Sequence, residues 1–219
     1  MLRNNKQHKK TKQGRSLCHS RQVGFTLIEV MITLNIFIFV FVACFAVYFL
    51  AQKFYQKAEN RAETLQNGRI ILERLNREIR QAVEIVSALP QSPDLPGNPP
   101  LSEVEFEDGH TPSPFAYLGS DYYYIRYYLD ANTNEIIRQD RVYCFEDCAN
   151  CLAYVRWNDF KIEGEEQIFP GVCNLEERVI GEYVSGLAIW GANLIDVALV
   201  LEKNNETINL KTKIAGRNF

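Results

Sequence analysis

Residues 25–50, FTLIEVMITLNIFIFVFVACFAVYFL, contain a single charged side chain, Glu29. As a helix rising 1.5 Å per residue this run is roughly 39 Å long, enough to cross a bilayer. It exceeds the h-region of an ordinary secretory signal, and no small-x-small cleavage site follows it. The chain is therefore read as a single-span membrane protein. A carboxylate in hydrocarbon is costly, so Glu29 needs a function and a partner.

Charge asymmetry sets the orientation. The formal net charge is −3, yet residues 1–24 carry Arg3, Lys6, Lys9, Lys10, Lys12, Arg15 and Arg21 and no acidic residue. With those seven set apart, the remainder holds 17 basic against 27 acidic residues, a net of −10. The positive-inside rule keeps the basic leader in the cytoplasm and sends the bulk of the chain across the membrane. An acidic exported part argues against nucleic acid as its ligand, because phosphate binding needs a concentrated positive surface.

The helical pattern continues past residue 50. Leu65, Gly68, Leu72, Leu75, Ile79, Ala82 and Val86 recur at steps of three and four and make one apolar stripe. Glu73, Arg74, Arg77, Glu78, Arg80 and Glu84 occupy the opposite face, with Glu73→Arg77 and Arg74→Glu78 at helix-supporting spacing. One helix is expected from about residue 25 to residue 86, with a bend near Gly68. Five of the eight prolines fall within residues 90–100, which marks a linker. Beyond it, SEVEFE alternates apolar and acidic residues. DYYYIRYYLDANTNEIIRQDRVYCF reads as a hairpin turning at Asp130-Ala131-Asn132-Thr133-Asn134. Residues 183–216 suggest three strands with a turn at Lys203-Asn204-Asn205-Glu206, and the Cys-rich stretch 144–173 reads as irregular. The expected fold is α+β: a long N-terminal helix whose amphipathic half packs on an antiparallel sheet. Its segments are a basic leader (1–24), a membrane helix (25–50), an amphipathic helix (51–88), a Pro-rich linker (89–100) and an exported β-rich domain (101–219).

The stretch Gly24-Phe25-Thr26-Leu27-Ile28-Glu29-Val30, with basic residues before it and an apolar run after it, closely resembles the type III signal of prepilins and pseudopilins. The resemblance implies a pilin-like fold, cleavage by a prepilin peptidase between Gly24 and Phe25, and N-methylation of Phe25. It also supplies a partner for Glu29, namely the Phe25 amine of a neighbouring subunit, so that neither charge stays alone in an apolar bundle. NGRIILERLNREIRQA in the helix, the YYYIRYYLD…EIIRQ hairpin and LKTKIAGRN near the end resemble the J-type minor pseudopilins of type II secretion and the related W-type minor pilins. The implied partners are the peptidase, other major and minor (pseudo)pilins and the inner membrane.

Other constellations have plainer readings. Cys144, Cys148, Cys151 and Cys173 could hold zinc, but an exported cluster without two tight Cys-x2-Cys pairs favours two disulfides. Cys173 is expected to join Cys148 or Cys151, with Cys144 taking the other. Glu103, Glu105, Glu107, Asp108 and His110 resemble a cation site, yet alternating charge on a strand reads first as a solvated face. Asp159, Glu163, Glu165 and Glu166 lack EF-hand spacing and read as a solvated acidic loop. Phe41-Val42-Ala43-Cys44 is a degenerate lipobox without the Leu, set in a run that continues past Cys44. The tyrosines at 122–128 and Trp157 and Trp190 are assigned to packing.

No phosphate loop, nucleophile elbow or metalloprotease pattern occurs, and His110 is the sole histidine after the leader. No enzyme, cofactor or metal is expected. The first reading is a structural subunit of a secretion pseudopilus or type IV pilus. The alternative is a signal-anchored extracytoplasmic receptor or binding protein with an uncut N-terminus.

Overall fold

The computed structural model describes residues 24–94, 97–108 and 122–216. Residues 1–23 of the leader, His110, and Arg217 and Asn218 of the C-terminal stretch lie outside them. One helix, α1 (Leu27–Gln81), runs through two units of the chain, residues 1–52 and 53–219.

In the first unit α1 is apolar all round, and every described residue is exposed. It is long and apolar enough to cross a membrane, which is compatible with a single-pass anchor. Its polar side chains turn back onto the helix. Thr33 Oγ1 donates to the Val30 carbonyl at 3.0 Å and Asn35 Nδ2 to the Met31 carbonyl at 2.8 Å, so both side chains find an acceptor within the helix. Phe37, Phe41, Phe45 and Phe49 line one face at i, i+4 spacing, with successive ring centroids 5.9, 4.7 and 6.3 Å apart.

The second unit adds nine strands among the described residues: β1 (Glu103–Glu107), β2 (Tyr124–Asp130), β3 (Glu135–Cys144), β4 (Lys161–Glu163), β5 (Glu166–Ile168), β6 (Gly171–Gly181), β7 (Val184–Gly191), β8 (Leu194–Lys203) and β9 (Glu206–Ala215). They form antiparallel sheets in the orders β1-β2-β3-β6, β4-β5 and β7-β8-β9. The architecture is α+β, with a long N-terminal helix and antiparallel sheets.

Packing follows from two periodicities. Strand β8 alternates strictly, burying Ile195, Val197, Leu199 and Leu201. Helix α1 contributes Ile71, Leu75 and Ile79 to the same core, which also takes Val104, Phe106, Tyr127 and Ile136 from the four-stranded sheet. Each such side chain contributes roughly 1.5–3 kcal/mol on burial. Gly68 is what lets α1 approach β8 and β9. A Cβ there would stand 2.9 Å from Leu201 Cδ1 and nearer still to Leu210. α1 continues without a break through Gly68, where the missing side chain makes room for this packing.

The two turns expected from sequence are present. Between β2 and β3, Asp130 accepts from the Asn132 N–H (2.9 Å) and the Thr133 hydroxyl (3.2 Å), while Asn134 takes φ 57°. Between β8 and β9, Asn204 and Asn205 take φ 52° and 64°, the left-handed pair that closes a tight hairpin.

Four expectations are corrected. First, α1 ends at Gln81, not near Val86. The following β-branched residues run extended along β1, with Ile85 bridged to Phe106. The Val83 and Val86 N–H groups donate to the Glu107 and Glu105 carbonyls (3.0 and 2.8 Å), satisfying both the chain and the open edge of β1. Second, the buried stripe of α1 is centred on Thr64, Gly68, Ile71, Leu75 and Glu78, with Leu65 and Leu72 at its margin. Third, the acidic face of β1 is not solvated: Glu105 and Glu107 are buried. Fourth, the Cys-rich stretch is structured. It contains the β4-β5 hairpin and the start of β6, and Val155 bridges to Tyr143 of β3.

Candidate functional site

The residues singled out by sequence fall into separate places. Gly24 and Phe25 precede α1 in exposed coil, and Phe25 is 77 % exposed. Thr26 caps the helix: its carbonyl accepts from the Glu29 and Val30 N–H groups (3.1 and 3.3 Å), and its hydroxyl lies 3.4 Å from the Glu29 nitrogen. Glu29 thus occupies the third position of a Thr-x-x-Glu capping pattern, where a negative charge complements the positive helix terminus. It is exposed, as a residue must be to meet another chain. Cys44 is an exposed free thiol in mid-helix.

The four cysteines of the second unit form two disulfides, Cys144–Cys151 and Cys148–Cys173, with Cα separations of 6.0 and 5.5 Å. This leaves no thiolate set for zinc. Together with Tyr123, Val142 and Tyr154, Cys144 and Cys173 make a second small core outside the main one. Tyr123 and Tyr154 meet edge to face at 5.5 Å.

Glu103 and Glu105 of β1 are committed to side chains of β2 and β3. Glu103 pairs with Arg126 of β2. Glu105 accepts from the Tyr143 hydroxyl (2.6 Å) and Arg141 Nη1 (2.9 Å). Burial, with the hydrogen bond to Glu105 added, holds the Tyr143 hydroxyl well above the ordinary phenol range. Two members of the suggested cation set, Glu103 and Glu105, are therefore paired with arginines, and its fifth member, His110, lies outside the described residues. Among the described residues no group of three or more His, Cys, Asp or Glu is arranged to hold a metal ion.

Sequence reasoning missed two features. One is a buried polar network under α1. Glu78, assigned to the solvent face, is 8 % exposed and accepts from the Tyr127 hydroxyl (2.7 Å) and Arg138 Nε (3.0 Å). Arg138 also reaches Asp140 at 2.7 Å. Burial, reinforced by the charge of Glu78, raises the Tyr127 hydroxyl. Burial alone would lower Arg138, but Glu78 and Asp140 more than offset it. The signal available was the Tyr127-x10-Arg138 register of the hairpin, which sets the two side by side.

The other missed feature is an open cleft of ≈ 670 Å³ where the β2–β3 turn, the β6–β7 link and the β8–β9 turn meet. It is lined by Asn134, Glu135, Glu182, Tyr183, Glu202 and Asn204, among others. Tyr183 has φ 63°, unusual for a bulky residue. Its surroundings hold it there. Asn67 Nδ2 donates to the Glu182 carbonyl, the Glu202 N–H to the Tyr183 carbonyl, and the Val184 N–H to the Asn134 carbonyl, each at 2.8 Å. Lys203 Nζ covers the ring at 4.3 Å. The link is a clamp between α1 and the two larger sheets.

Comparisons with protein families, curated proteins and solved structures find no match for this chain. The functional reading rests on the residues themselves.

Proposed function

We propose that this chain is a minor pseudopilin or minor pilin: a structural, non-catalytic subunit processed after Gly24 and assembled through α1. The observation that carries the reading is one continuous helix with two kinds of surface. Its first part is apolar all round, follows directly on Gly24-Phe25-Thr26 and carries Glu29 in its first turn; its second part is packed on antiparallel sheets. Such a helix can be stored in the bilayer and then exchange lipid for neighbouring helices. The inner membrane is its first location, with the leader cytoplasmic and the second unit exported, where its disulfides are stable. Cleavage leaves a cationic amine on Phe25, and the exposed Glu29 carboxylate of an adjacent subunit pairs with it and sets axial register. Its partners are prepilin peptidase and other major and minor (pseudo)pilins, with the J-type position in a secretion pseudopilus as the closest resemblance.

The test is intact-mass and N-terminal peptide mass spectrometry of the chain produced with and without a prepilin peptidase. A mature chain starting at Phe25 and carrying one added methyl, seen with the peptidase alone, supports the proposal. A Met1 start in both samples overturns it in favour of a signal-anchored extracytoplasmic receptor. One observation favours that second reading: Thr26 and Glu29 together cap α1, a local use of Glu29 that needs no partner chain. Glu29→Ala separates the two, because assembly pairing predicts normal cleavage with lost filament function, whereas capping alone predicts full function.

A further inference from the structure

Within the apolar run one side chain keeps hydrogen-bonding capacity that its own helix does not use. Asn35 Nδ2 donates to the Met31 carbonyl at 2.8 Å. An amide also carries a second N–H and a carbonyl oxygen that accepts. Among the described residues no hydrogen bond reaches either of these, and the side chain is exposed. Thr33 differs, because its hydroxyl has a single hydrogen and gives it to the Val30 carbonyl at 3.0 Å.

Depth makes this amide costly. At 1.5 Å per residue Asn35 lies roughly 15 Å along α1 from Phe25. With Phe25 at the membrane edge, that is the middle of a hydrocarbon core about 30 Å thick. The core holds no water to bond the amide, and lipid tails neither donate nor accept. A polar side chain held there is satisfied across a helix pair, by another polar group at the same depth.

A second copy supplies that group. Two copies enter the bilayer in the same orientation, set by the basic leader, so their helices run parallel and their Asn35 side chains stand at one level. An amide donates and accepts at once, so two of them complete each other. The neighbouring residues fit a parallel pair. Ile28 and Val42 stand one heptad before and after Asn35 on the same side of α1, and Met31, Ile38 and Phe45 fall at the alternate positions of that seam. β-Branched residues at the first heptad position, with one Asn among them, favour two parallel strands in fixed register. At about 100° per residue, Asn35 stands roughly 120° around the helix from Glu29 and roughly 180° from Cys44. The seam therefore leaves the Glu29 face open to a different contact.

We propose that Asn35 marks a helix–helix seam in the membrane, along which α1 pairs with a second copy of this chain through reciprocal Asn35 amide hydrogen bonds. The seam gives the membrane-stored subunit a paired form. It rests on the single-span reading above and is independent of cleavage after Gly24.

The test is oxidative cysteine crosslinking of the full chain in membranes isolated from its own cells, read on non-reducing gels with each band identified by mass spectrometry. Val42→Cys reports on the seam in a C18S/C44S background, and native Cys44 in a C18S background reports on the opposite face. The expected result is a homodimer with Val42→Cys, about tenfold above the Cys44 control and absent from the C18S/C44S parent. Adding Asn35→Leu should lower its yield about threefold to tenfold, whereas Asn35→Gln, which keeps an amide, should retain it. Alkaline carbonate extraction separates the two levels of failure. A chain that stays in the membrane yet gives only monomer, equal dimer from Val42→Cys and Cys44, or a dimer indifferent to Asn35→Leu overturns the seam alone. A chain that carbonate washes out overturns the membrane span and the seam with it.

Discussion

Glu78→Ala is the perturbation that best tests how α1 is fastened to the four-stranded sheet. The carboxylate accepts from the Tyr127 hydroxyl and Arg138 Nε, and all three side chains are buried or nearly so. Removing it strands a buried phenol donor, at a cost of about 1–3 kcal/mol. It also breaks a buried ion pair, which costs about 3–5 kcal/mol when the remaining charge is uncompensated. Arg138 keeps Asp140 at 2.7 Å, so the second cost falls well below that range. The contact from Arg74 is long (3.4 Å) and partly exposed, and adds little. The expected total is about 3–4 kcal/mol, or roughly 10 °C in Tm for a domain of this size. Tyr127→Phe leaves Glu78 paired with Arg138 and should cost about 1.5 kcal/mol. Replacing the buried part of the network, as E78L/Y127F/R138M, removes both buried charges and leaves only Asp140, 20 % exposed, without its arginine, so stability should recover well above that of Glu78→Ala. Urea unfolding of the full chain in detergent, followed by the fluorescence of Trp157 and Trp190, measures all three. A loss below about 1 kcal/mol for Glu78→Ala, or a triple variant as unstable as the single one, would refute the reasoning.

The disulfides close loops of different size, with sequence separations of 25 and 7. By loop entropy, C148S/C173S should cost about 3.5 kcal/mol and C144S/C151S about 2.4 kcal/mol, readable as the order of their urea midpoints. Burial is the main cause that raises the Glu107 carboxyl above its ordinary value of 4.5, with Arg156 opposing and Glu84 adding. The folded state thus holds this proton more tightly than the unfolded chain. Its contribution is intact below 4.5 and is lost as pH rises through the folded value. Glu107→Gln should therefore leave Tm unchanged near pH 4 and raise it near neutrality. Gly181→Ala places a Cβ against the Ile71 side chain where α1 meets the β6–β7 link, and should cost about 1–3 kcal/mol in the same titration.

Several elements were legible because their signals are local. The apolar run and its continuation announce α1, and the alternation in residues 195–201 with Asn204-Asn205 announces the β8–β9 hairpin. Strand β6 was not legible. Its Leu175-Glu176-Glu177-Arg178 has no clean alternation: Glu177 accepts from the Tyr128 hydroxyl of β2, while Glu176 pairs with Arg178 within the strand itself. The break at Gln81 was equally hidden. Residues 83–86 fit either a helix or an extended chain, and the open edge of β1 decided between them.

By itself, then, the sequence determined the Gly24-Phe25-Glu29 segment, the apolar length of α1 and the α+β class, and it favoured disulfides over zinc for the four cysteines. Those properties depend on spacing along one chain and on the compartment it enters. Only the tertiary structure decided which cysteines pair, that Glu78 and Glu105 face inward, and that Phe160, Ile162 and Phe169 face out. Periodicity assigns a residue to a face of its own element, but whether that face meets water depends on what the rest of the chain lays over it. A carboxylate on a polar stripe is buried when an arginine and a tyrosine from a distant hairpin arrive to satisfy it. An apolar residue on a short strand stays exposed when nothing in the chain arrives to cover it.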